Sequence, residues 1–355
     1  MIRIMHVCSD SIVGGATVTL LRLIEHSDKR EFRHIVVLPR SNRLYAEFEK
    51  FDIDLIPLHS RPDRSFSLSG VLECLKYIRS LRPDIIHTHG AVFGRIAGYI
   101  GGVRSLIYTR HTYKNKKTTF LGRYVNRRLT SVSVAVSPSV IDQIVKSGID
   151  KSNICLIENG CNDMSSVSET ERLSDNCRLL YMGRLTEEKG VRVALEAMRM
   201  LRADTDRYTL RIVGEGELRD SIDMYIRTNN LSDRVTLTPF QTDVKPTLAD
   251  TDILLNCSYE NEATSLSIIE AFSASVPVCA SDILGNSHVV SDTSDGILYK
   301  SGDAEELSAA IRKVRKDHNR FALNARGKYL DRFTAARMKN EYEKLWRDEY
   351  ERIRP

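Results

Sequence analysis

Residues 154–183, ICLIENGCNDMSSVSETERLSDNCRLLYMG, separate two parts of the chain that follow the same pattern. Both ends of this stretch are short apolar runs of the kind that form buried strands. Between them lies a polar segment without periodicity, and we interpret residues 164–176 as a linker between domains. The chain has 355 residues, which is too long for one ordinary hydrophobic core and fits two.

Short apolar runs alternate with helical patterns on both sides of this linker. Before it they read IRIMHVCS, HIVVLP, IDLIPL, DIIHTH, SLIYTRH, SVSVAVS and NICLIEN; after it they read CRLLYMG, YTLRIVGEG, RVTLTPF, DILLNCS and VPVCAS. Strands that are apolar on both faces and alternate with helices are typical of a parallel sheet covered on both sides. We therefore predict an α/β fold with two consecutive domains, each built on a parallel sheet covered by helices.

Composition and cysteine usage indicate the class of protein. With 42% hydrophobic and 28% charged residues, the chain has the composition of a globular protein. The opening MIRIMHVCSD lacks a long apolar run and a small-residue cleavage site, and no segment has the apolar length of a membrane span. Seven cysteines without a CxxC pair favour reduced core thiols over a disulfide frame or a zinc site. We expect a cytoplasmic protein.

Positive charge is concentrated in one region of the chain. The net charge is only +5, yet residues 85–141 contain no Asp or Glu and nine Lys or Arg. Residues 110–128 carry most of this charge together with aromatic and aliphatic side chains. Such a region predicts an anionic partner, and the slightly acidic remainder disfavours nucleic acid. We expect contact with an anionic membrane or a lipid diphosphate through residues 110–128.

Glycines follow several predicted strands. Gly14 and Gly15 lie where the first strand turns into the first helix, and Gly214 ends a strand in the second half. Glycines at such turns let backbone amides approach a phosphate or a sugar. A dinucleotide fingerprint is absent, and the acid expected after strand two of a nicotinamide enzyme is replaced by LPRSNR. These features weaken the case for an oxidoreductase.

Histidines end two neighbouring strands of the first half. His87 and His89 lie two apart in PDIIHTHG, hence on one face of a strand, and His111 ends the next. Ligands of open α/β sheets bind at the carboxyl ends of strands. With no acid nearby, we expect these histidines to form hydrogen bonds with a substrate rather than to act as general bases. Metal binding has little support, because no carboxylate or cysteine joins them.

The second half places charged residues after its strands. Arg184 and Lys189 follow the first strand in YMGRLTEEKGV, beside a helix start, where they can bind a phosphate. Glu262 and Glu270 in EATSLSIIEAF are eight residues apart, which predicts two carboxylates on one side of a helix. Carboxylates accept hydrogen bonds from sugar hydroxyls, so one acid could hold a hexose and the other a ribose.

As an ordered set, these motifs resemble the retaining glycosyltransferases of family 4, glycosyl transferases group 1. The resemblance covers the chain through GG, PDIIHTH, TRH, VSPSV, ENG, GRLTEEKG, VGEGE, the acid pair with EAFSASVPV, and the terminal FTAARM. It implies the α/β GT-B fold, in which two Rossmann-like, doubly wound domains face each other across a cleft. The implied bounds are 1–163 for an acceptor-binding domain, 164–176 for the linker, 177–333 for a nucleotide-sugar-binding domain, and 334–355 for a helix that crosses back to the first domain.

The resemblance also implies roles for individual residues. It assigns the donor diphosphate to Arg184 and Lys189, the ribose to Glu270, the donor sugar to Glu262, and the neighbourhood of the transferred sugar to His111. The implied catalytic residues are His111, Glu262, Arg184 and Lys189. The implied donor-binding residues are Gly14, Gly15, Arg184, Lys189, Gly214, Glu262, Thr264, Ser265, Leu266 and Glu270. The implied acceptor-binding residues are His89 and His111.

Four residues depart from the family pattern. Thr264 and Ser265 stand where Phe-Gly is frequent, Ser275 replaces a glycine, and His288 occupies the place of an acid. These departures bear on the contacts with the donor sugar more than on those with phosphate and ribose.

The implied function is retaining transfer of a hexosyl-type residue from a nucleotide-diphosphate sugar, with UDP as the expected nucleotide. The acceptor would be a glycan or a lipid-linked molecule in cell-surface polysaccharide or glycolipid synthesis, and the enzyme would require neither metal nor cofactor. We expect it in the cytoplasm or at the inner face of the membrane. Two alternatives stay open: an NAD-dependent two-domain oxidoreductase, and a catalytically silent protein that binds nucleotide sugars.

Overall fold

A computed structural model of the chain describes residues 1–11, 14–60, 63, 65–113, 118–165, 176–204, 207–260 and 262–354. It divides into two compact units, Met1–Gly160 with Ala335–Pro355, and Cys161–Thr334. The first unit ends at Gly160, whereas the expected bound was residue 163. The difference arises because Cys161 pairs with Thr334, and the Cys161 amide donates to the Phe333 carbonyl at 2.9 Å. Most of the predicted linker, residues 166–175, lies outside the described residues.

The first unit contains a seven-stranded parallel sheet in the order β3-β2-β1-β4-β5-β6-β7. Its strands are β1 (Ile2–Cys8), β2 (Phe32–Pro39), β3 (Asp54–Leu58), β4 (Ile85–His89), β5 (Ser105–Arg110), β6 (Val132–Ala135) and β7 (Ile154–Leu156). Its connecting helices are α1 (Gly15–His26), α2 (Tyr45–Phe48), α3 (Leu68–Leu81), α4 (Val92–Ile100), α5 (Phe120–Arg128) and α6 (Ile141–Lys146). Each strand matches an apolar run of the sequence, which confirms the predicted doubly wound architecture of this unit.

The second unit contains a six-stranded parallel sheet in the order β10-β9-β8-β11-β12-β13. Its strands are β8 (Asn176–Met182), β9 (Arg207–Val213), β10 (Val235–Thr238), β11 (Ile253–Asn256), β12 (Val278–Ser281) and β13 (Gly296–Tyr299). Its helices are α7 (Val191–Leu201), α8 (Arg219–Thr228), α9 (Lys245–Ala249), α10 (Leu266–Ser273), α11 (Leu284–Ser287), α12 (Ala304–Lys316) and α13 (His318–Arg332). Strand β13 was not predicted, because its four residues, GILY, follow the polar run SDTSD and form only a short edge strand.

The last helix, α14 (Ala335–Ile353), belongs to the first unit. Its apolar stripe of Met338, Tyr342 and Trp346 is buried in one cluster with strand residues of that unit. Trp346 is fully buried and its ring meets Phe32 edge-on at 5.4 Å between centroids. The predicted stripe therefore covers the sheet of the first unit rather than that of the second.

Two global expectations can be compared with the described residues. All seven cysteines are free, six of them buried and Cys155 partly so, as expected of core thiols. Among the helices that the structure describes, none is both long and apolar enough to span a bilayer.

The end of helix α3 offers a test of the backbone geometry. Arg82 caps this helix in the left-handed conformation, with φ of 49°, and its side chain is exposed. Left-handed backbone strains residues that carry a Cβ, so Arg82→Gly is expected to raise the free energy of unfolding by about 0.5–1 kcal/mol. The exposed Arg79→Gly, inside the same helix, is expected to lower it by about 1 kcal/mol. Urea unfolding of both variants checks this, and equal effects of the two glycines would contradict it.

Candidate functional site

The loop after β8 carries Arg184 and Lys189, and backbone contacts determine its shape. A 3₁₀ turn, Glu187–Lys189, follows the loop, and α7 begins after Gly190. Gly190 has φ of 65°, and a Cβ there would lie 2.0 Å from the Cys257 carbonyl oxygen, so only glycine fits. The Tyr181 hydroxyl donates to the Lys189 carbonyl at 3.0 Å. This loop is therefore held against the strand and the start of the following helix.

Gly214 allows a second loop to pass close to the first. A Cβ on Gly214 would lie 1.9 Å from the Gly183 carbonyl oxygen, and one on Gly216 would lie 2.3 Å from that of Leu185. The Leu185 amide also donates to the Glu215 carbonyl at 2.9 Å. Close packing of two loops accounts for these glycines structurally. A contact between Gly214 and a donor stays a prediction.

Lys189 and Glu262 form an ion pair that joins the loops after β8 and β11. Lys189 Nζ donates to Glu262 Oε1, and Ser258 Oγ donates to the same oxygen at 2.9 Å. The two charged side chains are only 22% and 12% exposed, so solvent screens their attraction less than at a free surface. The sequence indicated both residues separately but gave no sign that they pair. An anion that binds Lys189 would either displace the Glu262 carboxylate from Lys189 or share Lys189 with it.

Arg184 is held more loosely than Lys189. Its guanidinium pairs with Glu188 four residues on, and both side chains are substantially exposed. Exposed pairs of this kind contribute about 0–1 kcal/mol, so the guanidinium can turn to another anion at small cost.

The acid pair does not lie on one helical face as predicted. Helix α10 begins at Leu266 with Ser265 as its N-cap, so Glu262 lies in the preceding turn and only Glu270 is helical. The buried Ser265 hydroxyl accepts a hydrogen bond from the Asn256 side-chain amide at 2.8 Å, which positions the start of the helix. An eight-residue spacing implies one face only within a continuous helix, and the prediction of a shared face was wrong for that reason.

Buried amide side chains around this turn were missed at the sequence level. Asn286 Nδ2 donates to Asn256 Oδ1, to the Ser281 carbonyl and to Ser281 Oγ at 3.0–3.1 Å. Asn256 and Asn286 therefore connect the ends of β11 and β12 to the turn that carries Glu262. The Asn that ends the strand in DILLNCS is the signal that could have identified this support.

The family departures have distinct surroundings. Thr264 and Ser265 are both buried at the start of α10. Ser275 has φ of 57°, a backbone conformation that favours glycine, which gives a physical reason for the usual residue there. His288 Nε2 lies 3.3 Å from an Arg332 guanidinium nitrogen, so a histidine stands beside a cation where an acid is usual.

In the first unit, Gly14 and Gly15 lie at the start of the first helix, as predicted. Gly14 caps α1, which begins at Gly15, and a Cβ on Gly14 would meet no described atom within 4 Å. The two preceding residues, 12 and 13, lie outside the described residues. The roles of Gly14 and Gly15 in donor binding stay predictions.

The predicted histidines come together at the end of β4 and just after β5. His89 Nδ1 lies 3.0 Å from His111 Nε2, and His89 Nε2 lies 3.4 Å from His6 Nδ1. Burial lowers the pKa of His111 to about 4 and that of His87 to about 3, so both are neutral near pH 7. Both nitrogens of His89 therefore face other histidines, and the acceptor contacts of His89 and His111 stay predictions.

Three of these histidines also form a potential metal-ligand group. Nitrogens of His6, His87 and His89 lie within 4.8 Å of one another, and neutral imidazoles are ordinary zinc ligands. The rings of His87 and His89 are tilted against each other, with centroids 4.5 Å apart and an interplanar angle of 33°. His6 Nδ1 and His89 Nε2 lie 3.4 Å apart in a hydrogen bond, which occupies one nitrogen of each and favours hydrogen bonding over ligation.

Helix α5 presents the apolar part of the basic segment. Phe120, Leu121 and Tyr124 are 88%, 70% and 60% exposed, and no residue of this helix is buried. Arg127 and Arg128 lie in its last turn. The segment's Lys114, Lys116 and Lys117 lie outside the described residues.

Comparison with known families matches each half of the chain separately. Residues 13–163 match the family model described as Glycosyltransferase Family 4. Residues 167–328 match the model described as Glycosyl transferases group 1. Together the two models span both units.

Individual relatives align over nearly the full length. The UDP-Gal:alpha-D-GlcNAc-diphosphoundecaprenol alpha-1,3-galactosyltransferase of Escherichia coli is 24% identical, over 94% of this chain and 96% of that protein. The N-acetyl-alpha-D-glucosaminyl L-malate synthase of Bacillus anthracis is 23% identical, over 95% of this chain and 94% of that protein. Among solved structures, Anabaena Alr3699/HepE in complex with UDP-glucose has a TM-score of 0.82 at 20% identity, covering 98% of this chain and 100% of that one. The fold is thus that of the GT-B glycosyltransferases.

Proposed function

Because the chain belongs to the glycosyltransferases of group 1, family 4, with the GT-B fold, we propose that it transfers a hexosyl-type sugar with retention from a UDP-sugar to a glycan or lipid-linked acceptor. The observation that carries the proposal is the loop of the second unit, where Arg184 and Lys189 lie beside the start of α7 and Lys189 pairs with Glu262. Cations and helix amides at one loop are suited to a diphosphate.

The choice of UDP and of the acceptor class rests on relatives. A structural neighbour holds UDP-glucose, and the Escherichia coli relative is named for UDP-Gal and a diphosphoundecaprenol acceptor. We propose synthesis of a cell-surface polysaccharide or glycolipid on this basis.

The proposed reaction exchanges one bond at the anomeric carbon. The bond to the donor's β-phosphate oxygen breaks while the acceptor oxygen bonds to the same face, and the acceptor proton passes to the leaving phosphate. Arg184 and Lys189 stabilise the charge that develops on that phosphate. Glu262 and His111 orient the sugar, and Glu270 accepts hydrogen bonds from the ribose.

We propose that these cations take the place of a divalent metal. The protein is first freed of bound metal and then assayed either with EDTA or with Mg²⁺. Turnover of the donor is expected to be the same in both assays. Recovery of lost activity by Mg²⁺ or Mn²⁺ would contradict metal-independent transfer.

A ligand panel tests the proposed function. Calorimetry with UDP, GDP, ADP and NAD(H) is expected to show binding of UDP and none of NAD(H). Slow hydrolysis of UDP-glucose, UDP-galactose and UDP-N-acetylglucosamine, followed by proton NMR before the sugar mutarotates, identifies the first anomer released. An α-anomer from the α-linked donor supports retention, whereas a β-anomer refutes it. Nucleotide binding without turnover of any sugar, even with lipid-diphosphate acceptors, would favour the catalytically silent alternative.

The basic segment makes a separate prediction about membranes. We propose peripheral contact with the inner face of the membrane through residues 110–128, supported by the exposed apolar side chains of α5. The protein is expected to sediment with anionic vesicles at low salt and to dissociate at high salt. Replacing Lys114, Lys116 or Lys117 by Ser should weaken partitioning about fivefold per charge, or about 1 kcal/mol each.

The matching apolar test compares two exposed leucines. Leu121→Ser in α5 is expected to weaken vesicle binding, whereas Leu323→Ser in α13, which is 74% exposed, is expected to leave it unchanged. Vesicle binding that does not depend on the charge of the lipids, or equal effects of the two serine substitutions, would contradict this proposal. Residues 110–128 would then be a solvated surface, and the acceptor would be recognised in solution.

A further inference from the structure

A line of hydrogen-bonded imidazoles crosses the sheet of the first unit. His34 Nδ1 lies 3.0 Å from His6 Nε2, His6 Nδ1 lies 3.4 Å from His89 Nε2, and His89 Nδ1 lies 3.0 Å from His111 Nε2. At the other end, His34 Nε2 lies 2.9 Å from Ser27 Oγ. We call Ser27, His34, His6, His89 and His111 the histidine relay.

The strand register explains why these side chains meet. Strands β2, β1, β4 and β5 are consecutive in the sheet, and His34 pairs with Ile4, two residues before His6. His6 in turn pairs with the residue two before His89, and His89 pairs with the residue two before His111. Each step therefore reaches the diagonal neighbour on the same face, and the relay ends at the carboxyl edge of the sheet.

The relay is closed off from water by α14. Trp346 meets His34 and His6 edge-on, with ring centroids 5.5 Å and 5.7 Å away, and both histidines are at most 3% exposed. Burial lowers the pKa of His34 to about 4 and those of His6 and His89 well below the ordinary value. The imidazoles are thus neutral near pH 7, and each has one N–H and one lone pair.

One end of the relay sets the direction of its hydrogen bonds. Glu343 of α14 is paired with Lys339 and Arg347, at 3.0 Å and 3.2 Å, and accepts the Asp28 amide at 2.8 Å. Such a carboxylate can only accept, so the Ser27 hydroxyl, 3.5 Å from Glu343 Oε1, directs its proton there. Ser27 Oγ then accepts from His34 Nε2. Each following imidazole donates from Nε2 to the Nδ1 lone pair of the one before it: His6 to His34, His89 to His6, and His111 to His89.

We propose that the histidine relay holds His111 in the tautomer protonated at Nε2, leaving Nδ1 as a hydrogen-bond acceptor for a substrate hydroxyl. Among the described residues, this buried Nδ1 has no hydrogen-bond partner. His111 is the member that contacts the ligand, while Ser27, His34, His6 and His89 are positioning residues. The inference rests on the proposed function only in taking the hydroxyl to be that of a sugar.

A metal ion would produce a different pattern. A metal bound by His6, His87 and His89 would need unprotonated nitrogens directed at it, and His6 and His89 could then no longer share a proton. The His6–His89 hydrogen bond and a metal in their shared space exclude each other, so one spectrum distinguishes them.

Long-range proton–nitrogen NMR of the full chain labelled with ¹⁵N-histidine reads these tautomers directly and needs no substrate. With His111→Gln used to assign its signals, wild-type His111 is expected to be neutral and protonated at Nε2. Ser27→Ala is expected to give a mixture of both tautomers at His111, and Ser27→Thr to restore the single form. For any UDP-sugar that is turned over, Ser27→Ala should lower kcat about two- to tenfold, the effect of one hydrogen bond.

Ser105→Ala is the matched control. Ser105 is also buried and donates to a carboxylate of α14, Glu349, at 2.7 Å, and among the described residues its hydroxyl forms no hydrogen bond with a histidine of the relay. It should leave the His111 tautomer unchanged. The proposal is overturned by His111 protonated at Nδ1 or at both nitrogens, by an unchanged tautomer in Ser27→Ala, or by EDTA-reversible changes at His6 and His89 on adding ZnCl₂. Since the spectra are recorded without substrate, they decide the proposal even if the UDP-sugar panel fails.

Discussion

Replacing Lys189 by Ala is expected to lower kcat for sugar transfer roughly 10²–10³-fold, a barrier increase of about 2.7–4 kcal/mol. Lys189 is only 22% exposed and lies beside the start of α7, so its charge acts on the departing diphosphate with limited screening by water. The charge on the phosphate grows as the glycosidic bond breaks, and the loss should therefore appear in kcat more than in KM. Arg184→Ala should act in the same direction and more weakly, because Arg184 is half exposed.

Control measurements separate this effect from a loss of folding. Lys313→Ala removes an exposed lysine from the last turn of α12 in the same unit and should leave kcat unchanged. Lys189→Ala also removes the partner of Glu262, so urea unfolding must show that the variant is folded under assay conditions. Near-normal turnover in folded Lys189→Ala and Arg184→Ala would refute the assignment of the diphosphate to this loop.

Replacing the two acids is expected to separate nucleotide binding from sugar transfer. Glu270→Ala should weaken binding of UDP itself about 10- to 100-fold, the range for a lost hydrogen bond to a charged group of about 1.5–3 kcal/mol. Glu262→Ala should leave UDP affinity unchanged or improve it, because Lys189 loses a competing carboxylate. It should lower kcat for transfer, since the contact with the donor sugar is lost.

Calorimetry with UDP and kinetics with the UDP-sugar check this division. Glu305→Ala, an exposed acid in the first turn of α12, serves as the control for the charge change. Equal loss of UDP affinity in Glu262→Ala and Glu270→Ala would show that the acids do not divide the donor between them. Ser258→Ala should affect only the positioning of Glu262, because the Ser258 hydroxyl donates a hydrogen bond to the Glu262 carboxylate.

The fold class, most strands and the charged loops could be predicted because they depend on short stretches of sequence. An apolar run bounded by polar residues is buried wherever it lies, so twelve runs sufficed to indicate two parallel sheets. Arg184 and Lys189 follow a strand directly, and in a parallel sheet that position alone places them at the ligand-binding edge. The resemblance to family 4 depends on the same local motifs.

The sequence by itself thus determined two α/β units, the strand ends that carry the charged and histidine side chains, and the basic segment. Only the tertiary structure decided which of these side chains meet. Lys189 and Glu262 are 73 residues apart, and they pair because β8 and β11 are neighbours in the sheet. The histidine relay exists because β2, β1, β4 and β5 are consecutive and each register places the next imidazole on a diagonal. Strand order and register arise from crossover connections and packing over the whole unit, so no local pattern contains them.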